Sequence, residues 1–230
     1  MLLHILFSDN LTPNQAVIIF LISLFVFMFS LSFHEFAHGF IAYKMGDDTP
    51  KLSGRLTLNP FKHLDISGFV CFAVFGVGWA KPIPINPLKF KKYRTGIRWV
   101  SLAGIIANVL LGLISAGLHA VLIATVGVPN VAMQYVYYTL DTFMLVNSFL
   151  ALFNILPIYP LDGFNFITSF MKSNNKFIHY GIKYGLRILF GVLLTCVLIE
   201  FMFNINIDIL SYYLSLLYDW VFRPIAFLGV

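Results

Sequence analysis

Two histidines and a glutamate near the end of a long apolar stretch have the spacing of a catalytic metal site. The stretch 16–33 contains no charged residue, and it leads directly into His34, Glu35 and His38. Side chains four residues apart lie on one face of a helix, so His34 and His38 can bind the same divalent ion. A glutamate beside such a pair is the usual general base in zinc hydrolases. Because these polar side chains are costly in hydrocarbon, their position predicts a functional metal site.

A catalytic zinc ion needs a third protein ligand and an open fourth position for water. At 1.5 Å per residue, His34 and His38 lie about 15 and 9 Å from the basic end of their helix. Asp162 follows the corresponding end of a later apolar stretch, where prolines stop the helix and a glycine lets the chain turn back. Glu200 is the alternative ligand, but it is about 20 Å further from that face. Depth therefore favours Asp162, and Glu200 stays open as the third ligand of a different type of zinc protease.

The composition is that of a polytopic membrane protein. Of 230 residues, 59% are hydrophobic and 11% are charged, and the mean hydropathy is +0.85. The first residues lack the basic region of a cleavable signal peptide, so we expect none. The chain is predicted to be a single intramembrane domain, residues 1–230, with about five spanning helices. Apolar runs place these helices at 14–45, 97–127, 131–156, 177–203 and, least clearly, 207–228.

The apolar stretch 66–80 is too short for a comfortable span, and three prolines follow it closely. We expect a re-entrant hairpin or a pair of strands there, and a short strand in the alternating segment 55–60. The predicted fold class is therefore an all-α polytopic membrane protein with a small membrane-associated β element or re-entrant segment. A free strand edge at 66–80 would let an unwound substrate add to it, whereas a plug would shield the metal from lipid.

Positive charge is concentrated in one segment of the chain. Ten of the fifteen lysines and arginines lie between Lys44 and Arg98, and the first 43 residues contain none. By the positive-inside rule, the segment 44–98 is predicted to be cytoplasmic and the N-terminus to lie outside a cell membrane that the chain crosses several times. We expect the basic cluster from Lys89 to Arg98 to contact anionic lipid headgroups, and we expect no nucleic acid partner.

Two asparagines are candidate catalytic residues. Asn108 is ten residues past Arg98, which places it about 15 Å deep and level with His34. Its amide either bridges two helices or steadies the developing oxyanion or the Glu35 carboxylate. Asn154 lies one turn before the predicted helix break, where it either supports the reaction or caps the helix. The sequence leaves both choices open.

Two motifs taken together are highly specific. The first is His34-Glu35-Phe36-Ala37-His38, and the second runs from Asn154 through Pro157 to Leu161-Asp162-Gly163. With them the chain resembles the site-2 protease family of intramembrane zinc metalloproteases. Segments 46–50, 54–60 and 78–87 are similar to the compact bacterial branch that lacks PDZ and CBS domains.

The resemblance implies one catalytic zinc ion bound by His34, His38 and Asp162, with Glu35 as the catalytic base. It also implies a membrane-spanning protein or peptide as the substrate, cut within or near the membrane. A non-catalytic metal-binding membrane protein or transporter is the alternative, although a transporter should present ligands at several depths. His63 is not expected to be a fourth ligand, because it would close the site to water.

Overall fold

The structure is a computed structural model that describes residues 11–75 and 78–203, and for 75, 193, 194 and 196–203 only the backbone. The fifth helix predicted at 207–228 lies outside these residues. The described residues form helices of very different lengths, joined by loops. In chain order they are α1 Pro13–Met45, α2 Thr49–Leu52, α3 Pro60–His63, α4 Ile66–Phe75, a 3₁₀ turn at Pro87–Lys89, α5 Tyr93–Thr125, α6 Val131–Ile155, α7 Asp162–Thr168 and α8 Lys176–Phe203.

Three of the described helices, α1, α5 and α6, are long and apolar enough to cross a membrane. This confirms the predicted all-helical character of the described residues and gives three candidate spans. The predicted count of about five spans is not confirmed. The predicted helix boundaries agree with the observed ones to within about one turn, and the largest difference is at the start of α5, which begins at Tyr93 rather than at 97.

Local sequence explains where α1 begins and ends. The Thr12 side chain accepts a hydrogen bond from the Gln15 backbone N–H, and the Gln15 side chain accepts one from the Thr12 N–H, which forms a capping box. Pro13 occupies the first turn, where its missing N–H costs nothing. Gly46, with φ 112°, ends the helix in the left-handed conformation that glycine adopts most readily.

The predicted β element is not confirmed, because the described residues contain no strand. Ile66–Phe75 is a helix, and 55–60 is a loop that leads into α3. Asp65 starts this helix by accepting hydrogen bonds from the Ser67 hydroxyl and the Gly68 N–H, which also hold the pKa of Asp65 below its usual value. A helix satisfies the backbone polar groups of an apolar stretch internally, which a two-stranded hairpin with free edges does not do.

The chain does turn back after α4, in agreement with a hairpin. A Cβ atom added at Gly68 would lie 2.2 Å from the carbonyl oxygen of Trp79, so the returning chain packs directly on the helix. From there the Pro-rich segment, defined here as residues 78–91, runs in extended form toward α5.

Hydrogen bonds fix the Pro-rich segment to the end of α1. The Asn86 N–H donates to the fully buried Asp47 carboxylate at 2.6 Å, and the Lys91 N–H donates to the Met45 carbonyl at 2.9 Å. The three prolines at 82, 84 and 87 cannot donate backbone hydrogen bonds, so the segment does not pair as a regular strand. The Pro-rich segment is therefore held against one side of α1.

The central helix of the bundle is α5, which packs along α1, α6 and α7. Small and polar residues at spacings of three and four let the neighbouring backbones approach closely. The structure buries every member of the face predicted from this spacing, namely Ser101, Gly104, Asn108, Gly112 and Ser115.

Candidate metal centre

Three side chains from two distant parts of the chain converge at one point between α1, α5 and α7. The Nε2 atoms of His34 and His38 are 2.9 Å apart. The Asp162 Oδ2 atom lies 3.3 Å from the first of these nitrogens and 3.1 Å from the second. Both histidines are buried, with 5% and 7% of their surface exposed. The three residues are a group that could hold a metal ion.

The size of this triangle fits a zinc ion. Ligand atoms about 2.0–2.1 Å from a tetrahedral centre are roughly 3.3 Å from one another. The observed separations of 2.9 to 3.3 Å therefore need only a small expansion to surround an ion. The buried Asp162 Oδ2 has no hydrogen-bond partner among the described residues, although it lies this close to both rings. An oxygen placed in this way is available as a ligand.

A backbone carbonyl of α5 orients one of the rings. The His38 Nδ1 atom lies 2.7 Å from the Val100 carbonyl oxygen, and because a carbonyl can only accept, the ring must donate from Nδ1. The Nε2 atom then carries a lone pair that points toward His34 and Asp162. Such an outer hydrogen bond is the usual way to fix a metal-binding histidine. Three electron-rich atoms meeting in a buried space repel one another unless a cation lies between them.

Gly104 lets α5 approach the pair of imidazole rings. A Cβ atom at this position would be 2.5 Å from both His34 Cε1 and His38 Nε2. No side chain fits in that space without moving a ring. Asn108 was predicted to be level with His34. The α5 residue that lies beside His34 is Gly104, one helical turn before Asn108.

The chain reversal after α6 brings Asp162 to the site. Leu156 ends α6 in extended conformation just before Pro157, and Asp162 is the first residue of α7. At Gly163 a Cβ atom would be 2.1 Å from the Ile155 carbonyl oxygen, so only glycine lets the first turn of α7 pack on the last turn of α6. The Asp-Gly pair therefore places the carboxylate beside the end of α6.

Glu35 lies beside the ligands and is held by the Pro-rich segment. Its Oε2 atom accepts a hydrogen bond of 2.8 Å from the Ile83 backbone N–H. With His34, His38 and Asp162, it lines a cavity of about 650 Å³ between the Pro-rich segment, α5, α7 and α8. A carboxylate next to a possible metal site and open to a cavity can accept a proton from water there.

The structure separates the two candidate asparagines. Asn154 lines the cavity, and its Nδ2 donates to the Leu150 carbonyl at 2.9 Å, which leaves its second N–H free of that bond. Asn108 is fully buried one turn beyond Gly104 and is not among the lining residues. Neither polar atom of the Asn108 amide has a hydrogen-bond partner in the described part of the chain. The catalytic roles of both asparagines stay predictions.

Of the two remaining candidate ligands, His63 lies apart from the site, and the side chain of Glu200 is not among those that the structure describes. His63 is buried, and its Nε2 lies 2.8 Å from the Thr57 carbonyl oxygen within its own loop. It is not in the group that could hold a metal. The Glu200 side chain lies outside the described part of α8.

Two contacts of the site could not be read from side-chain types. The Val100 carbonyl and the Ile83 N–H are backbone groups: every residue carries the carbonyl, and every residue except proline carries the N–H. Of the contacts around the site, only that of Gly104 was indicated by the sequence, because Gly104 is one of the small residues on the buried face of α5.

Comparison with known proteins bears on this site. The chain is 46% identical over 143 residues to "Putative zinc metalloprotease YwhC" of Bacillus subtilis (strain 168), covering 60% of this chain and 64% of that protein. It is 29% identical over 165 residues to "Putative zinc metalloprotease Rip2" of Mycolicibacterium smegmatis (strain ATCC 700084 / mc(2)155), covering 68% and 60%. No family model and no solved structure matches the chain.

The chain is a homologue of both proteins. Both are named as putative zinc metalloproteases, which agrees with the metal-site motifs and is consistent with a compact site-2 protease-like family. The matched regions span 64% and 60% of the two relatives, a little under two thirds of each.

Proposed function

We propose that this protein is an intramembrane zinc endopeptidase that hydrolyses peptide bonds in transmembrane segments of other proteins. The observation that carries the proposal is the convergence of His34, His38 and Asp162 within bonding reach of one ion, next to Glu35. The names of the relatives support the metalloprotease class. His34 and His38 stand on α1, a helix long and apolar enough to cross a membrane, which supports a site within the membrane.

The chain provides the groups that such a hydrolysis needs. A zinc ion held by these three residues would supply a Lewis acid for the scissile carbonyl and for the attacking water. Glu35 accepts the proton of the water and later delivers it to the leaving amine. The Val100 carbonyl keeps the His38 ring in the tautomer that presents Nε2 to the centre. The free N–H of Asn154 is placed on the cavity wall, where it can donate to the oxygen that becomes negative.

The substrate must expose a peptide bond that a helix normally hides. Backbone groups of a membrane-spanning helix are paired internally, so a segment has to unwind locally before it can enter the cavity. The cavity beside Glu35 has a volume of about 650 Å³, and the Pro-rich segment forms one of its walls. We therefore propose a membrane-spanning protein or peptide as the substrate.

The alternative function is metal transport or metal binding without catalysis, and a transporter should present ligands at more than one depth. In the described residues there is one group of side chains that could hold a metal, and it lies at one level. Glu35 beside that group has a purpose in hydrolysis and none in a simple binding site.

The lipid surface is a second proposed partner. Lys91, Lys92 and Arg94 are exposed at the start of α5, next to the end of α1. Anionic headgroups attract a basic cluster placed at the end of a spanning helix. The protein is thus proposed to lie in the cell membrane as a multi-pass protein with its basic segment on the cytoplasmic side.

Metal content and hydrolysis together test the proposed function. In Glu35→Gln we expect zinc to be retained and cleavage of a model transmembrane peptide in vesicles to fall at least about a hundredfold, because only the base is removed. In Asp162→Ala we expect zinc to be lost, and in Glu200→Ala we expect it to be kept. Full activity in Glu35→Gln would contradict the base assignment. If zinc is kept in Asp162→Ala but lost in Glu200→Ala, the third ligand is Glu200 rather than Asp162.

A further inference from the structure

The cavity at the candidate metal centre extends away from the ligands to a cationic side chain. Arg94 is the one lysine or arginine among its described lining residues. Much of the wall between is apolar, with Ile97 from α5 and Ile178 and Ile182 from α8. A chain lying in this cavity would therefore meet the reactive groups at one end and a guanidinium at the other.

Helix geometry gives the distance between these two ends. Arg94, Ile97 and Ser101 all line the cavity, and Gly104 follows at the same spacing on this face of α5. Arg94 precedes Val100, which orients His38, by six residues, and it precedes Gly104 by ten. At 1.5 Å per residue, these separations are about 9 and 15 Å along the helix axis. An extended peptide advances about 3.3 Å per residue, so three to five of its residues cover the distance.

Two neighbouring cations, Arg98 and Lys89, are already engaged. The Arg98 Nε donates to the Ser169 hydroxyl at 3.2 Å, and its guanidinium lies over the Phe170 ring. Lys89 is paired with the Asp48 carboxylate, and that hydrogen bond holds the pKa of Asp48 below its usual value. Arg94 has neither an ion pair nor a hydrogen bond to any residue that the structure describes.

We propose that Arg94 determines specificity by binding a carboxylate of the substrate three to five residues from the scissile bond. A guanidinium presents paired donors that match the two oxygens of a carboxylate. The preferred substrate is then an apolar segment with an acidic side chain at this distance from the scissile bond. This inference rests on the proposed function only in taking the cavity as the place where the peptide lies.

Binding to the full chain tests the inference without requiring hydrolysis. The probes are dye-labelled peptides with a Leu/Ala span and a polar flank, in which Asp, Asn or Lys is moved one residue at a time. They are titrated against zinc-loaded Glu35→Gln protein in phosphatidylcholine vesicles. At the best position we expect the Asp peptide to bind about tenfold more tightly than the Lys peptide.

Charge reversal at Arg94 is the decisive comparison. Arg94→Glu, made on the same Glu35→Gln background, should reverse the order so that the Lys peptide binds more tightly. Lys92→Glu is the matched control, because Lys92 is also exposed and lies two residues away but does not line the cavity, and it should preserve the Asp preference. Equal binding of the three peptides, no binding of any, or an unchanged order in Arg94→Glu would overturn the inference.

A lipid phosphate could compete for the same guanidinium, so the titration is repeated in vesicles that contain phosphatidylglycerol. We expect the Asp preference to persist there. Its loss in the anionic vesicles would assign Arg94 to a lipid headgroup and overturn the inference. Hydrolysis by the wild-type protein is measured separately. Cleavage without any charge preference would refute the role of Arg94 alone, whereas Arg94-dependent binding without cleavage would refute the proposed peptidase activity alone.

Discussion

Gly104 is the point at which α5 comes closest to the candidate ligands. Its missing side chain leaves room for both imidazole rings, which would lie 2.5 Å from an added Cβ atom. The rings cannot simply move away, because His38 is held by the Val100 carbonyl and both stand on the same face of α1. Space beside the ligands is therefore as much a part of the site as the ligands themselves.

This contact predicts a specific loss of metal binding in Gly104→Ala. The added methyl group must displace at least one ring, and disturbed outer contacts typically weaken metal affinity by about 10- to 100-fold. The matched control is Gly117→Ala in the same helix, where an added Cβ meets nothing within 4 Å. Zinc affinity is measured by competition with a chelating dye. Equal affinities in the two variants would show that Gly104 does not shape the site.

The candidate ligand residues could be picked out from the sequence because metal chemistry limits the choice of side chains. His34 and His38 follow from helical spacing, and Asp162 follows from depth. The expected level of Asn108 was wrong by one turn, because counting 1.5 Å per residue ignores helix tilt and the direction of side chains. The contacts of the Val100 carbonyl with His38 and of the Ile83 N–H with Glu35 could not be predicted, because backbone groups do not depend on residue type.

At the scale of helices, the contacts of α1 with α5 follow an antiparallel register. His38 meets Val100 and His34 meets Gly104, so each step of four residues along one helix is matched by a step of four back along the other. Continued by one step, this register predicts that Ser30 lies opposite Asn108, and both residues are fully buried. This layer of polar side chains lies one turn from the candidate metal centre.

A hydrogen bond in this layer joins α1 to α6. The Asn147 Nδ2 donates to the Ser30 hydroxyl at 2.8 Å, and both residues are fully buried. We expect a double-mutant cycle of Ser30→Ala and Asn147→Ala to give a coupling of about 0.6 to 1.7 kcal/mol, the range found between membrane helices. The free energy of unfolding is measured in mixed detergent micelles.

Ser115 provides the control for that cycle. It is also buried, but its hydroxyl donates to the Leu111 carbonyl within its own helix. A cycle of Ser115→Ala with Asn147→Ala should therefore give a coupling near zero. Similar couplings in both cycles would mean that the Ser30 hydrogen bond does not tie the two helices together.

The long helices were predictable because length removes the ambiguity of an apolar run. Stretches such as 16–33 exceed the length of any ordinary strand, and the capping residue Thr12 and the terminating Gly46 mark the limits of α1. Ile66–Phe75 has ten apolar or small residues, a length that suits a helix or a strand equally. Its helical form and its packing on Trp79 depend on the returning chain, which local sequence does not specify.

For the whole molecule, charge and membrane orientation are linked. The ends of α1 and α6 and the start of α5 meet near the candidate metal centre, and the basic residues between Lys44 and Arg98 surround this end of the bundle. The opposite end carries the loop from Val126 to Asn130, which contains no charge. A basic end and an uncharged loop at the other end predict a single orientation by the positive-inside rule.

Reporter fusions can measure this orientation in living cells. A reporter fused after Lys92 is expected to be cytoplasmic, because the basic residues around it resist transfer across the membrane. A reporter inserted after Gly127, in the loop between α5 and α6, is expected to be external, because α5 alone separates the two positions and is long enough to span. The pair controls for expression, since each fusion should be active with one type of reporter and inactive with the other. The opposite pattern at both positions would invert the proposed topology and place the candidate metal centre near the outer face.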